Sequence, residues 1–154
     1  EPVGKKMEAT PFTIVHIASH GEFRSKSEES FLLAYDGKLS MDRLGRYVGM
    51  SRFRDQPLEL LTLSACETAA GDDRAALGLA GVAIKAGARS ALGTLWPVND
   101  EAAARLVVDF YGHLSDPGTT RAKALQQAQV DLLSDPRYEH AGYWGAFLLI
   151  SSWL

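Results

Sequence analysis

The chain has 154 residues, of which 46% are hydrophobic and 23% are charged, and its net charge is −3. These values are typical of one globular domain with an apolar core, and they argue against direct binding to nucleic acid. The sequence has neither the run of ~20 apolar residues that a membrane helix needs nor a secretory signal. The single cysteine, Cys66, excludes an intrachain disulfide and favours the reducing cytoplasm as its location.

The first eleven residues lack the pattern of a strand, and the chain begins at Glu1 rather than at a methionine. We therefore predict a leader over residues 1–11, one domain over residues 12–154, and an origin in a longer polypeptide. Residues 11–19 are β-branched and almost continuously apolar. This pattern predicts a strand covered on both faces, as in parallel sheets.

The next elements are a hairpin, a helix, a second strand and a further helix. Asp36-Gly37 between two apolar runs predicts the hairpin turn, and Ser40 is the predicted cap of a helix over residues 42–48. Residues 58–63 predict a buried strand that ends just before Cys66. A loop follows, and then a helix of small residues over about 77–86 that Gly87 ends.

The second half predicts strand, helix, helix, strand. Residues 88–96 form the third predicted strand, and Asn99 or Asp100 caps the next helix. The apolar faces of the two helices are then Ala103, Leu106, Val107, Phe110 and Leu114 in the first, and Ala122, Leu125, Ala128 and Leu132 in the second, which starts at Thr119 or Thr120. Residues 143–153 predict a last strand. Alternating strands and helices predict an α/β fold with a mostly parallel sheet.

His20 and Cys66 each follow a predicted strand. The carboxyl ends of parallel strands meet at one edge of a sheet, where ligands bind, so these two side chains are expected on the same edge. A lone cysteine is more often a buried small hydrophobe than a nucleophile. Here polar residues follow the cysteine, and a histidine can activate the thiol, because imidazole side chains exchange protons near neutral pH. The glycine at position 21 lets a backbone N–H approach a developing oxyanion.

No metal or cofactor is predicted. His16 and His20 are four residues apart, which on a strand is ~13 Å, so they cannot share one ion. We interpret His16 as a hydrogen-bonded core histidine. The sequence lacks the glycine-rich phosphate motifs and the serine-hydrolase motif G-x-S-x-G.

Six blocks in order carry a family resemblance: IVHIASHGEF, LELLTLSACETAAG, GLAGVAIKAGARSALGTLWPVND, FYGHL, ALQQAQ and YWGAFLLI. Together they resemble the CHAT domain, a module related to caspases and separases and often fused to tetratricopeptide repeats. The resemblance implies a caspase-like three-layer sandwich with a mostly parallel sheet flanked by helices, here without its first strands. It also implies a catalytic dyad of His20 and Cys66, with an oxyanion hole formed by the backbone N–H groups of Gly21 and Cys66.

The same resemblance implies a substrate site. The segment that contains Leu95, Trp96 and Val98 is expected to pair with the backbone of a bound peptide. Asp100 matches the position of a separase aspartate that selects arginine before the scissile bond. It is equally interpreted as a plain helix cap, and both roles can hold at once.

The sequence thus predicts a cysteine endopeptidase, a thiol protease that cleaves a protein partner after Arg or Lys. The alternative is a catalytically idle CHAT domain that acts as a scaffold or switch. Expected partners are a protein or peptide substrate and either a tetratricopeptide-repeat region or the upstream half of the same polypeptide. The loop over residues 67–74 is predicted to be a mobile element that regulates activity.

Overall fold

The structure of the chain is a computed structural model, which describes residues 6, 10, 12–23, 29–35, 37–51, 57–64, 67–68, 81, 83–84 and 86–151. In chain order its elements are β1 (Ile14–Ala18), β2 (Gly21–Phe23), β3 (Phe31–Ala34), β4 (Gly37–Ser40), α1 (Met41–Ser51), β5 (Leu60–Ser64), β6 (Glu67–Thr68), β7 (Ser90–Thr94), α2 (Asp100–Leu114), α3 (Arg121–Leu133), α4 (Ala141–Trp144) and β8 (Phe147–Ser151).

The main sheet has the strand order β1-β5-β7-β8. β1, β5 and β7 are parallel, and β8 runs antiparallel to β7. Helices cover both faces of this sheet, which confirms the predicted α/β architecture and is consistent with a caspase-like fold. One core packs α1 against Leu61 and Leu63, and the other packs α2 and α3 against Leu60 and Leu92.

β5 is the centre of the molecule. All five of its residues are buried, as the continuous apolar run predicts. Its side chains alternate between the two cores, so one short strand contributes to both of them. Each fully buried leucine contributes roughly 1.5–3 kcal/mol relative to an exposed one.

The prediction that the first strand is covered on both faces is wrong. β1 is an outer strand of the main sheet among the described residues, and its side chains alternate between exposed and half-buried. Ile14 is 43% exposed. The apolar sequence of β1 is that of an inner strand, whereas full burial is found in β5, its neighbour in the sheet.

A second, smaller sheet has the strand order β4-β3-β2-β6, and the sequence did not predict it. The β3–β4 hairpin is confirmed, with Gly37 at a φ of 132°. β2 and β6 have three and two residues, too short to produce a periodic pattern. Residues 67–68 were predicted as loop, and they instead pair in parallel with β2.

The helix signals give the starts and stops well. The Arg43 N–H donates to Ser40 Oγ at 3.4 Å at the start of α1. Gly87 has a φ of 113°, and the Ala88 N–H donates to the Ala83 carbonyl, so the glycine ends a helix as predicted. The rest of the predicted helix over 77–86 lies largely outside the described residues.

Two predictions in the last third need correction. Ala122 is exposed and Ala124 is buried in its place, because the inward face of α3 follows Ala124, Ala128 and Leu132 at intervals of four residues. The predicted strand over 143–153 is shorter, since α4 occupies residues Ala141–Trp144 before β8 begins. None of the helices in the described part of the chain is long and apolar enough to cross a membrane.

Candidate active site

The candidate site lies at the carboxyl edge of the three parallel strands. His20 follows β1 by two residues, and its side chain is exposed to solvent. The segment from Leu95 to Asp100 follows β7 at the same edge, and β5 lies between β1 and β7. Every predicted site residue thus follows the carboxyl end of one of three adjacent strands.

The backbone of His20 is held by β3. The Leu33 N–H donates to the His20 carbonyl at 2.8 Å, and Ser19 Oγ donates to the Leu33 carbonyl. The hairpin strand therefore holds the carbonyl of His20 and the side chain of the residue before it. An exposed imidazole on a fixed backbone is suited to act as a general base, because it is accessible to substrate and its position is restricted.

The amide of Gly21 is directed away from β3. Gly21 is opposite Leu32 in the antiparallel ladder. The neighbouring pair, His20 and Leu33, is hydrogen-bonded. Hydrogen-bonded and non-hydrogen-bonded pairs alternate in an antiparallel ladder, so Gly21 and Leu32 form a non-hydrogen-bonded pair whose N–H groups point away from each other. The Gly21 N–H consequently points to the side of β2 on which β6 lies.

Cys66 lies outside the residues that the structure describes. Ser64 and Glu67 are the nearest described residues on either side of it, and each is paired with a residue two positions from His20. Ser64 is opposite Ala18 in the main sheet, and Glu67 is opposite Glu22 in the second sheet. The chain passes from the main sheet to the second sheet twice, once through residues 19–20 and once through residues 65–66.

Measured between paired positions, the segment from Ala18 to Glu22 and the segment from Ser64 to Glu67 differ in length by one residue. Paired residues are 46 apart in number in the main sheet, 64 minus 18, and 45 apart in the second, 67 minus 22. The segment that contains His20 is therefore one residue longer than the segment that contains Cys66. An extra residue of this kind is typical of a bulge, which re-aims a side chain and often lies beside an active site.

A polar cluster lies beneath this edge, on the face of the sheet toward α2. His16 Nε2 is 2.7 Å from Ser64 Oγ, and Tyr111 Oη donates to Thr62 Oγ1 at 2.8 Å. The rings of His16 and Tyr111 are 5.8 Å apart between centroids. Thr94, which is only 4% exposed, has no hydrogen-bond partner for its hydroxyl within the described part of the structure.

His16 is hydrogen-bonded as predicted, but it does not lie in the core. It is on the exposed face of the outer strand β1. Partial burial beside Tyr111 and β5 still lowers the pKa of its imidazole below the ordinary 6.5, because removal of water disfavours the charged form. Burial likewise raises the pKa of Tyr111, and its hydrogen bond with Thr62 opposes that shift.

The segment after β7 is anchored to the start of β8. The Leu95 N–H donates to the Ala146 carbonyl at 2.8 Å, and Trp96 Nε1 donates to the Gly142 carbonyl at 3.0 Å. Trp96 keeps 39% of its surface exposed, while Val98 packs against the α2–α3 core. The Leu95 amide is thus already used within the protein.

Asn99, and not Asp100, is the cap of α2. Its side-chain oxygen accepts from the N–H groups of Glu101 and Ala102 at 3.1 and 3.2 Å. Asp100 is the first helical residue, and it is exposed. The Asp100 carboxylate does not cap the helix, and within the described part of the chain it makes no ion pair. The interpretation of Asp100 as the cap itself is therefore wrong.

The sequence did not reveal the residues that support the site. Ser19, Leu33 and Ser64 hold their neighbours through contacts between strands, and no short-range pattern marks them. The only available signal was their position, since each is within two residues of a strand end. Among the described residues no three acidic, histidine or cysteine side chains are grouped as metal ligands.

The fold and the edge of the sheet together define the class of protein, which is a caspase-like α/β domain. The model of the CHAT domain family matches residues 3–152. The chain therefore belongs to the CHAT domain family, which is related to caspase-like peptidases. No curated protein matches the chain significantly.

Proposed function

We propose that the chain is a cysteine endopeptidase in which His20 and Cys66 form the catalytic dyad. The observation that carries this proposal is that the segment containing His20 and the segment containing Cys66 are paired with each other at both ends. Ser64 is opposite Ala18, and Glu67 is opposite Glu22. Because paired strands are ~4.8 Å apart, Ser64 and Glu67 each lie one strand spacing from the ends of the segment that contains His20.

The proposed reaction uses the thiol as nucleophile. His20 accepts the proton of the Cys66 thiol, and the resulting thiolate attacks the peptide carbonyl carbon, forming a C–S bond while the electron pair of the C=O double bond moves to the oxygen. The N–H groups of Gly21 and Cys66 stabilise this oxyanion, and the direction of the Gly21 amide, toward the side of β6, supports that role. His20 gives its proton to the leaving amine as the C–N bond breaks, and water then hydrolyses the thioester.

We infer that the peptide lies along residues 96–98 and that Asp100 faces the side chain before the scissile bond. The exposed face of Trp96 and the unoccupied carboxylate of Asp100 support this placement. A carboxylate in such a place selects Arg or Lys through a charge-assisted hydrogen bond. The substrate is then a protein segment with a basic residue, and a repeat region or the upstream half of the same polypeptide regulates access to it. Because the thiol must stay reduced, we place this activity in the cytoplasm.

Covalent labelling tests the proposal. A peptidyl chloromethyl ketone with Arg at the terminal position alkylates an active thiol with loss of chloride. We expect one adduct on wild-type protein at Cys66, none on Cys66→Ala, and labelling slowed about 100-fold in His20→Ala, within the range of general-base contributions. The same ketone with Leu should react more slowly, and Asp100→Asn should remove that preference.

His113→Ala is the matched control, because His113 is paired with Asp131 between α2 and α3, away from the sheet edge. It should label at the wild-type rate. A wild-type chain that forms no adduct, or one that His20→Ala leaves equally reactive, would contradict the peptidase and favour the idle scaffold.

A further inference from the structure

We propose that His16 is a positioning residue, which fastens the strand of His20 to the strand of Cys66 through its hydrogen bond to Ser64. The contact joins His16 Nε2 to Ser64 Oγ at 2.7 Å. Ser64 is the last residue of β5, and Cys66 comes two residues later. This inference rests on the proposed function, because it assigns a support for the same dyad.

The hydrogen bond between His16 and Ser64 lies near the end of the β1–β5 ladder, next to the proposed site. β1 is an outer strand, paired only with β5 among the described residues of the main sheet. The ends of a ladder are where pairing opens most readily. Beyond Ala18 and Ser64 both segments leave the main sheet for the second one, so on the main-sheet side the last ladder pair and this side-chain bond set their separation.

The chemistry of the pair fits a structural tie better than a second nucleophile. Ser64 is 9% exposed, and the imidazole supplies the partner that its buried hydroxyl requires. Among the described residues no carboxylate contacts the His16 ring, which a serine nucleophile of the triad type would need to orient its base. The ring contacts Tyr111 instead, and Tyr111 is itself bonded to Thr62.

The cluster therefore joins three elements beneath the site. His16 belongs to β1, Thr62 and Ser64 belong to β5, and Tyr111 belongs to α2. Side chains on facing elements in one hydrogen-bonded network usually depend on one another. Loss of His16 should consequently let the end of β1 move relative to β5, and with it the His20 backbone.

The rate of Cys66 alkylation by iodoacetamide provides the test. Cys66 is the only cysteine, so the mass of the intact chain reports it directly, and iodoacetamide needs no peptide site. In the wild-type chain we expect His20→Ala to slow alkylation at pH 7 about tenfold, because the dyad is lost. In the His16→Ala chain, which is already slow, His20→Ala should change the rate less than twofold.

Two further variants separate positioning from a general loss of structure. His16→Gln carries an amide that can still donate to Ser64, and it should restore most of the wild-type rate. Ser64→Ala should resemble His16→Ala, and the double variant should be no slower than either one, since both remove the same bond. His113→Gln serves as the control, and circular dichroism with urea unfolding should show all variants folded at the assay temperature.

The outcomes distinguish this inference from the function on which it rests. If His20→Ala leaves the wild-type alkylation rate unchanged, the proposed dyad is contradicted, and the role of His16 is contradicted with it. If His20→Ala slows the wild type but slows His16→Ala by the same factor, the dyad stands and the positioning role is overturned. A wild-type rate of Cys66 alkylation in folded His16→Ala would overturn the positioning role as well.

Discussion

Asn99 and Asp100 are adjacent residues with roles that the structure separates. Asn99 accepts two backbone N–H groups at the start of α2, whereas Asp100 is the first helical residue and is exposed. A sequence of Asn-Asp-Glu cannot decide which side chain is the cap, because both residue types are favoured there. The decision depends on the backbone angles of the turn, and Asn99 has the extended ψ of 132° that a cap needs.

Substitutions should separate the two roles in measurement. Asn99→Ala should lower the free energy of unfolding by about 1 kcal/mol, the usual cost of a lost cap. Asp100→Asn should cost at most about 0.5 kcal/mol, since it removes only the interaction of a surface carboxylate with the helix dipole. Urea unfolding measures both, and the ratio of labelling rates for the Arg and Leu ketones measures specificity.

We expect Asn99→Ala to keep the preference for Arg and Asp100→Asn to lose it. The assignment of Asp100 to a substrate pocket would be contradicted by an unchanged rate ratio in the folded Asp100→Asn chain. A loss of stability in Asp100→Asn as large as in Asn99→Ala would contradict the assignment of the cap.

Asp135 gives the molecule a definite acid response. It accepts hydrogen bonds from Arg137 and from Arg105, which belongs to α2, and these hold the pKa of its carboxyl well below the ordinary range. A carboxyl whose pKa is lower in the folded state stabilises the protein above about pH 4, its unfolded pKa, and that contribution is lost as the pH falls below it. Asp135→Asn should therefore reduce the free energy of unfolding at pH 7.

The same variant should flatten the pH dependence at the acid end. Unfolding of wild type and Asp135→Asn by urea at pH 7, 4 and 2.5 should show the difference between them shrinking as the pH falls. Asp116→Asn is a control, because Asp116 is an exposed carboxylate in the turn after α2 and has no ion pair among the described residues. A difference between wild type and Asp135→Asn that stayed constant down to pH 2.5 would show that charge is not the cause.

At the scale of elements, the ends of helices follow from local chemistry. The glycine at position 87 occupies the left-handed region with a φ of 113°, and the Ala88 N–H reaches back to the Ala83 carbonyl. The sequence predicted this stop because glycine is the residue that adopts such angles without strain. The cap at Thr120 was predictable for a similar reason, since its hydroxyl accepts from Lys123 N–H at 3.2 Å.

Alanine substitutions at two glycines should have opposite effects. Gly87→Ala should lower the free energy of unfolding by roughly 1–2 kcal/mol, because a Cβ disfavours the left-handed region. Gly112→Ala should raise it by up to about 1 kcal/mol, since Gly112 is within α2 and an added Cβ meets no atom within 4 Å. Thermal or urea unfolding measures both, and a Gly87→Ala chain as stable as wild type would contradict the helix stop.

Pairing between distant elements was harder to predict than the elements themselves. The short strands β2 and β6 are too short for any period to appear, and their existence depends on the crossings beside them. The exposure of β1 also could not be predicted, because the same apolar sequence is compatible with a strand covered on one face or on both. The site nevertheless follows from topology, since parallel strands bring their carboxyl ends to one edge.

At the scale of the whole molecule, the chain passes between the two sheets at His20, one member of the proposed dyad. The chain leaves the main sheet after Ala18 and after Ser64, and both crossings enter the second sheet. Sequence predicted the main sheet and the family, but not the second sheet that clamps the His20 backbone through Leu33. The same clamp and the tie between His16 and Ser64 are the parts of the molecule that order the proposed site.

The most direct test of the peptidase is the cleavage of peptides. A mixture of peptides of known sequence would be incubated with wild type, Cys66→Ala and His20→Ala under reducing conditions, and new termini would be identified by mass spectrometry. The proposed function predicts cleavage after Arg or Lys by wild type, none by Cys66→Ala, and strongly reduced cleavage by His20→Ala. Absence of cleavage by wild type, or the same products from Cys66→Ala, would contradict it.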